Sequence, residues 1–208
     1  MNMDPVLDRL ADIVAAGEDV EDLVRPFLRI IESLTGLEST YLTTVDRERC
    51  VQKVVFSHNT ANLDLREGLQ VDWGDTLCQR SIEEGSGFTD DVAGRWGDTG
   101  VARGLGIKTY LSVPIRVGEG ELYGTLCGAS RARVPVADYV RKLVDLFAHI
   151  IARQIERERL LGRLRQENIG YQGHALTDPL TGVPNRRALL RELQRALGDT
   201  ARSGATLY

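Results

Sequence analysis

Two pairs of β-rich segments constrain the fold of this chain more than any other feature. Residues 39–46 and 50–58 are rich in β-branched and aromatic side chains, and the polar turn RER separates them. The segments KTYLSVPIRV (108–117) and ELYGTLCGAS (121–130) are joined by the glycine-bearing turn GEG. Because connections this short join antiparallel neighbours, each pair predicts a β-hairpin.

Helical patterns precede the first hairpin. Asp4 and Pro5 suit the start of a helix, and Gly17 suits its end. A second helix with one apolar face is predicted at about 20–34. Pro26 lies inside that span, which predicts either a kink or a later start.

Further helices are predicted between and after the hairpins. The stretch DTLCQRSIEEG (75–85) predicts a short helix capped by Asp75, and a small helix is predicted at 99–105. After Pro135 the apolar residues follow a helical spacing. Helices around two hairpins predict an α+β fold with a central antiparallel sheet flanked by helices.

Charge and cysteine content exclude several classes of protein. A net charge of −4 and a pI near 5.5 argue against nucleic acid and membrane surfaces as partners. The N-terminus lacks the apolar run of a signal peptide, and no stretch is long enough to cross a bilayer. The three cysteines, Cys50, Cys78 and Cys127, are widely spaced and form no metal-binding pattern with the histidines. We therefore expect no metal site and a reduced, cytoplasmic setting.

In order and spacing, these segments resemble a GAF domain over about residues 20–155. The resemblance rests on the strand TYLTTVD, the helix DTLCQRSIEEG followed by DDV, and the closing hairpin TYLSVPI…LYGTLCGAS. It implies a sheet with helices on one face and a small-ligand pocket on the other, closed by residues 58–106. Such domains sense small molecules or redox state, or serve only as dimer modules.

Aromatic walls with a few polar groups are what a small-ligand pocket needs. The resemblance places such a pocket among Tyr41, Trp73, Asp75, Cys78, Asp91, Trp96, Tyr110, Ser112, Thr125 and Cys127. In the alternative interpretation the tryptophans pack the core and lid, while Asp75 and Asp98 cap short helices. The Cys-His pair of bilin-binding members and the cyclic-nucleotide signature are both missing, so the ligand stays unknown.

Two of the cysteines allow a redox interpretation. Cys78 is expected near the start of its helix, where the helix dipole lowers a thiol pKa. Cys127, on the last strand, could lie close to it. The alternative is that both are small buried apolar residues.

A long helix is predicted to leave the GAF-like region. A 3-4 spacing runs through Leu143, Phe147, Ile150, Gln154, Arg157, Leu161, Leu164, Asn168 and Tyr171. The stretch QIERERLLGRLRQE is dense in charges of both signs, which favours a parallel coiled coil at 151–175. We therefore expect a homodimer formed through the helices of the GAF-like region and this coiled coil. The alternative is an ordinary C-terminal helix with a frayed end.

The stretch DPLTGVPNRRALL resembles the start of a GGDEF domain, the catalytic module of diguanylate cyclases. The matching residues are Asp178, Leu180, Thr181, Gly182, Asn185, Arg186 and Arg187. By its residues alone the stretch predicts a turn, a helix from about Asn185 to Leu197, and a strand at GATLY. In that family the residues that bind GTP and Mg²⁺ follow later, so we expect no catalytic residue in this chain.

These resemblances predict four segments. They are an N-terminal helix (1–19), a GAF domain (20–150), a signalling helix (151–175) and a truncated GGDEF start (176–208). The expected function is the sensory and dimerising half of a bacterial cyclase that makes cyclic di-GMP from GTP. Two alternatives stay open, a GAF module that dimerises without a ligand and a thiol redox sensor or enzyme acting through Cys78.

Overall fold

The structure is a computed structural model that describes residues 4–174 and 183–203. The chain divides into two compact units, Met1–Arg157 and Glu158–Tyr208. The helices are α1 (Asp4–Ala16), α2 (Val20–Thr35), α3 (Leu77–Glu83), α4 (Val92–Trp96), α5 (Gly100–Leu105), α6 (Asp138–His174) and α7 (Arg186–Ser203), with a 3₁₀ turn at Trp73–Asp75. The strands are β1 (Ser39–Asp46), β2 (Val51–Asn59), β3 (Gln70–Asp72), β4 (Phe88–Thr89), β5 (Thr109–Val117) and β6 (Glu121–Ser130).

The first unit is built on one antiparallel sheet of six strands in the order β3-β2-β1-β6-β5-β4. Its two hairpins, β1–β2 and β5–β6, are the predicted ones, and β1 pairs with β6 to join them. The predicted α+β fold with a central antiparallel sheet is therefore confirmed. The short strand β3, which pairs with the start of β2, was missed because the segment around it is polar and irregular.

Alternation along the strands, interrupted by a bulge in each hairpin, sends side chains to two separate cores. Leu42 and Leu126 join the core formed with α2 and α6, in which Phe27 and Phe147 stack with ring centroids 4.2 Å apart. Their neighbours Tyr41 and Cys127 point to the opposite face and join the second core. That second core is covered by α3, α4, α5 and the connection before β3, and it contains the candidate site.

The centre of the sheet depends on a glycine. The Gly124 backbone lies so close to β1 that an added Cβ would be 1.7 Å from the Thr43 carbonyl oxygen. Gly124 pairs with Thr44 on one side and with Ile115 on the other. A side chain at this position would therefore push apart the two strands that join the hairpins.

Helix α2 corrects the prediction drawn from Pro26. The helix begins at Val20, with Asp19 as its N-cap accepting a hydrogen bond from the Asp22 N–H at 2.9 Å, so the later start is wrong. Pro26 lies inside the helix, and the residues after it, such as Phe27, are buried in the core. Burial of this apolar face outweighs the hydrogen bond that proline cannot donate.

The cap expected for the helix at 75–85 is also different. Helix α3 begins at Leu77 and its N-cap is Thr76, whose hydroxyl accepts from the Gln79 N–H at 3.2 Å. Asp75 instead ends the 3₁₀ turn and accepts a hydrogen bond from the Gly100 N–H at 2.9 Å. Cys50, predicted as the first residue of the second strand, lies in the turn with a φ of +52°.

The first part of α6 belongs to the first unit's own core. Phe147 is fully buried, and Gln154 is 8% exposed with its amide donating to the Glu18 carbonyl at 2.8 Å. These two members of the predicted seam are therefore not offered to a second chain. The exposed apolar side chains in this part of the helix are Tyr139 and Leu146.

In the second unit, the remainder of α6 exposes Leu160, Leu161 and Leu164. The predicted long helix is confirmed, while the coiled coil remains a prediction. The side chains of Asn168 and Tyr171 lie outside the described residues.

The predicted helix after the GGDEF-like turn is present as α7. Asn185 precedes it and accepts a hydrogen bond from the Ala188 N–H at 3.1 Å, while Arg186 and Arg187 are its first residues. Asp178, Leu180, Thr181 and the predicted strand at GATLY lie outside the described residues. Across the described ranges, no helix combines the length and apolar character that a bilayer crossing requires.

Candidate functional site

A cavity of about 290 Å³ lies between the second face of the sheet and its cover of short helices. The sheet contributes Tyr41, Thr43, Gln52, Val54 and Tyr110, and the cover contributes Thr76, Leu77, Cys78, Val101, Gly104, Leu105 and Ile107. Leu65 and Leu69, from the connection before β3, and Val71 of β3 complete the wall. Most of these side chains are apolar, while the polar ones gather on the sheet side.

Gln52 organises the polar side of the cavity. Its side chain is buried, and its amide nitrogen lies 2.8 Å from the Thr43 hydroxyl and 3.3 Å from the Thr125 hydroxyl. The same nitrogen donates to the Cys78 sulfur at 2.8 Å. A single amide therefore connects β1, β2 and β6 with the start of α3.

Two buried thiols meet at this point. The Sγ atoms of Cys78 and Cys127 are 3.7 Å apart. The Tyr110 hydroxyl lies 2.8 Å from the Cys78 sulfur and 3.4 Å from the Cys127 sulfur. The hydroxyl of Thr125 contacts both, donating to Cys78 at 3.3 Å and accepting from Cys127 at 3.1 Å.

The two thiols are electrostatically unequal. Burial raises the pKa of Cys78, but hydrogen bonds from Cys127, Gln52, Thr125 and Tyr110 outweigh burial and lower the pKa to about 7. For Cys127, burial and the neighbouring Cys78 both raise the pKa well above its ordinary value. If one of the two is ionised, it is therefore Cys78.

The structure brings together six of the residues that the sequence places in the pocket. Tyr41, Cys78 and Tyr110 line the cavity. Thr125 and Cys127 are buried next to them, and Ser112 lies 3.6 Å from the Cys127 sulfur through its hydroxyl.

The two predicted tryptophans lie outside the cavity lining. Trp96 is 1% exposed, its indole N–H donates to Glu84 at 2.7 Å, and its ring meets Tyr110 edge to face at 6.1 Å. Trp73 is half-buried and packs against the second core. This arrangement agrees with the core-and-lid alternative for both residues.

The predicted aspartates also lie away from the cavity lining. Asp75 receives the Gly100 N–H, and Asp91 pairs with Arg133 at 2.6 Å on the surface. Asp98 pairs with Arg80 at 2.7 Å and is not the N-cap of α5, a position that Thr99 occupies. Carboxylates at these sites hold the cover together rather than face a ligand.

Sequence reasoning missed Gln52, Thr43 and the aliphatic walls. The signal that could have found Gln52 is its position in β2, where it alternates with exposed Lys53 and shares its face with buried Val54. A lone amide at an inward position of a strand requires partners, and here those partners form the site.

The lining of the cavity limits its ligands. None of the described residues that line it is Asp, Glu, Lys, Arg or His. A charged ligand would therefore lose its hydration without a countercharge, which favours a neutral one. Within the described ranges, no three His, Cys, Asp or Glu side chains come close enough together to hold a metal ion.

A larger groove of about 660 Å³ lies at the edge of the sheet formed by β4. It runs along β4 and β5 and the start of α6, and its charged residues have both signs, among them Arg116, Asp138 and Asp145. It lacks the buried polar cluster that marks the smaller cavity.

Comparison with known proteins places this geometry in a family. The GAF domain family matches residues 19–155. Diguanylate cyclase DgcP of Escherichia coli (strain K12) is 40% identical over 190 residues, which cover 91% of this chain and 56% of that protein. The chain thus spans little more than half the length of this relative.

Solved structures share the fold at low sequence identity. The phycoerythrobilin-bound GAF domain from a cyanobacterial phytochrome has a TM-score of 0.63 at 17% identity, covering 78% of this chain and 98% of that one. The chromophore-binding domain of Stigmatella aurantiaca bacteriophytochrome (Thr289His mutant, Pr state) has a TM-score of 0.60 at 14% identity, covering 71% of this chain and 58% of that one.

Proposed function

This chain belongs to the GAF domain family, and we propose that it is the sensory and dimerising part of a bacterial diguanylate cyclase. The observation that carries the proposal is the 40% identity to DgcP across 91% of the chain. The aligned share leaves only 18 of the 208 residues outside, so it extends beyond the GAF match at 19–155 into both the connecting helix and the GGDEF-like stretch.

The sensory role is supported by the cavity. A volume of about 290 Å³ lies at the lower end of the range for small-molecule pockets. Its aliphatic walls suit a small neutral ligand, and its polar side offers hydrogen bonds from Gln52, Tyr41 and Tyr110. A ligand bound there contacts α3 and α5 at once, so binding changes how the cover packs on the sheet.

We assign catalysis to a GGDEF domain that begins at the motif around Asp178 and Arg187. In this proposal GTP and Mg²⁺ bind in that domain, and residues 1–19, 20–150, 151–175 and 176–208 are the N-terminal helix, sensor, connecting helix and start of the output domain. The chain itself then regulates the synthesis of cyclic di-GMP and does not perform it. Its three free cysteines suit the reducing cytoplasm.

Dimerisation is proposed to use the exposed face of α6. Tyr139 and Leu146 are 55% and 51% exposed, and Leu143 and Ile150 are half-buried. Along the helix these four residues follow one another at steps of four, three and four residues. The same spacing continues in the sequence to Arg153, Arg157, Leu160 and Leu164. Apart from Arg153 and Arg157 the repeat is apolar, and an apolar 3-4 repeat is typical of a parallel coiled coil.

The dimer proposal is tested by sedimentation of the purified chain. Leu146→Glu places a charge on the proposed face, whereas Val14→Glu is a matched control at a similarly exposed position, 46% against 51%. We expect Leu146→Glu to lower the dimer fraction and Val14→Glu to leave it unchanged. A wild-type chain that stays monomeric at all concentrations contradicts the proposal.

The output proposal is tested by measuring cyclic di-GMP made from GTP and Mg²⁺. The full-length cyclase and this 208-residue chain are compared side by side. We expect product from the full-length protein alone. Product from this chain would overturn the assignment of catalysis to later residues.

A further inference from the structure

The two buried thiols lie close enough to react with each other. Their sulfurs are 3.7 Å apart, so a bond of about 2.05 Å requires an approach of about 1.7 Å. Cys78 is on α3, a helix of only seven residues between two loops, and Cys127 is on a central strand. A short surface-side helix can shift by this distance more easily than a strand that is paired on both sides.

Only one of the two thiols faces the cavity. Cys78 lines the cavity wall, whereas Cys127 is 1% exposed and is not part of the lining. A small neutral molecule that enters the cavity therefore reaches Cys78 first. Cys127 is reached only through Cys78, or after the cover has opened.

The surroundings of Cys78 favour its ionised form. The Gln52 amide and the Tyr110 hydroxyl lie 2.8 Å from the sulfur, and the Thr125 hydroxyl lies 3.3 Å away. These are donors that stabilise a thiolate, the form that attacks electrophiles. Such a cluster of donors around one sulfur is unnecessary for a thiol that only fills space.

We propose that Cys78 and Cys127 form a reversible redox pair, in which a small neutral hydroperoxide oxidises Cys78 and Cys127 resolves the product to a disulfide. In the first step the Cys78 thiolate attacks one peroxide oxygen and the O–O bond breaks. With hydrogen peroxide this step yields a sulfenic acid at Cys78 and a hydroxide ion, which takes up the proton that Cys78 released; an organic hydroperoxide gives an alcohol in the same way.

In the second step the Cys127 sulfur attacks the Cys78 sulfur, and the S–O bond breaks. The sulfenic hydroxyl leaves with the Cys127 proton as water. Two thiols and one hydrogen peroxide thus give one disulfide and two water molecules. A dithiol reductant reverses the change by thiol–disulfide exchange.

The bond alters the cavity that the sensor role depends on. A bond to Cys127 displaces the Cys78 sulfur, which accepts a hydrogen bond from Gln52, and with it the start of α3, where Thr76 and Leu77 form part of the cavity wall. The proposed thiol oxidation does not depend on the proposed cyclase role. It is measured on the two thiols directly, so the activity of the output domain does not affect the result.

The experiment uses the full 208-residue chain with Cys50→Asn, which removes the exposed third thiol. Asparagine tolerates the positive φ of 52° at this position, so the fold is expected to persist. We expect hydrogen peroxide to remove both remaining thiols with the loss of two hydrogen atoms by mass spectrometry. Dithiothreitol should restore both. Retention of both thiols, or oxygen added to each without a disulfide, overturns the proposal.

Two further variants in the same background assign the roles. With Cys127→Ser, peroxide should leave a sulfenic acid at Cys78 that dimedone traps. With Cys78→Ser, we expect oxidation of Cys127 to slow by about tenfold or more, since the accessible thiolate is gone. Oxidation of Cys127 at an unchanged rate would overturn the order of attack. Thermal unfolding of each variant establishes that it is folded, and the parent variant alone already tests disulfide formation.

Discussion

Gly124→Ala should destabilise the first unit strongly, because the new methyl group has no room between β1 and β6. Its carbon would lie 1.7 Å from the Thr43 carbonyl oxygen. An ordinary carbon–oxygen contact is about 3.3 Å, so the strands must separate locally by about 1.6 Å.

The cost follows from the ladder between the two central strands. A separation of that size breaks about two backbone hydrogen bonds at about 1 kcal/mol net each, and one buried group left without a partner adds about 1–3 kcal/mol. We therefore expect a loss of about 3–5 kcal/mol in the free energy of unfolding. This is a large part of the total stability of a typical domain.

Chemical denaturation of the purified chain, followed by circular dichroism, measures the loss. Gly104→Ala is the matched control, since a Cβ at Gly104 meets nothing within 4 Å. In its helix the control should be neutral or stabilise by about 0.5–1 kcal/mol. Equal denaturation midpoints for Gly124→Ala and wild type would refute the argument from close approach.

Three other changes probe the core, the site and the surface. Phe147→Ala should cost about 3–5 kcal/mol by the same denaturation assay, whereas Val14→Ala, 46% exposed on α1 and outside the proposed dimer face, should stay within about 0.5 kcal/mol; equal effects would contradict the burial of Phe147. Gln52→Leu should raise the pKa of Cys78 because a donor to the thiolate is lost, as read from thiolate absorbance against pH, while Gln79→Leu should leave it unchanged. Arg25 lowers the pKa of Glu67, so the stability that this pair contributes is present above about pH 4.3 and is lost as pH falls through the folded-state pKa. Glu67→Gln should therefore reduce the acid dependence of unfolding by less than about 1 kcal/mol, since the pair is partly exposed; a steeper dependence would reverse the sign.

Local pattern was sufficient for the hairpins and for most helices. Runs of β-branched residues around short turns fix which strands are neighbours, and β1 and β5 begin within a residue of their predicted starts. Pro26 led to a wrong prediction of a later helix start, because the rule that proline disfavours a helix interior takes no account of the apolar face that this helix buries. The burial of Phe27 and Ile31 is a tertiary effect that no local rule contains.

The cap of α3 shows a different limit. Aspartate and threonine are both good N-caps, so residue type alone does not choose between Asp75 and Thr76. The choice is made by the backbone, which is extended at Thr76, with φ of −101° and ψ of 148°, but forms a 3₁₀ turn at Asp75. The contact between Asp75 and Gly100 joins residues far apart in sequence.

The seam of α6 was only partly predictable, because apolar spacing marks a covered face without saying what covers it. Phe147 and Gln154 face the chain's own core, while Leu146, one position away, is exposed. The pocket was likewise only partly predictable. The GAF resemblance grouped Tyr41, Tyr110, Cys78 and Cys127, but the 3.7 Å between the two sulfurs depends on how α3 docks on the sheet.

The tie between Asp75 and Gly100 has a consequence for hydrogen exchange. The cover consists of helices of five to seven residues, and among the described residues neither Asp91 nor Thr99 caps its helix with a side-chain hydrogen bond. Such elements open by local unfolding at a lower free energy than a six-stranded sheet. The amide of Gly100 should therefore exchange with solvent deuterium well before that of Leu126, and its protection factor measures how often the contact between Asp75 and α5 opens.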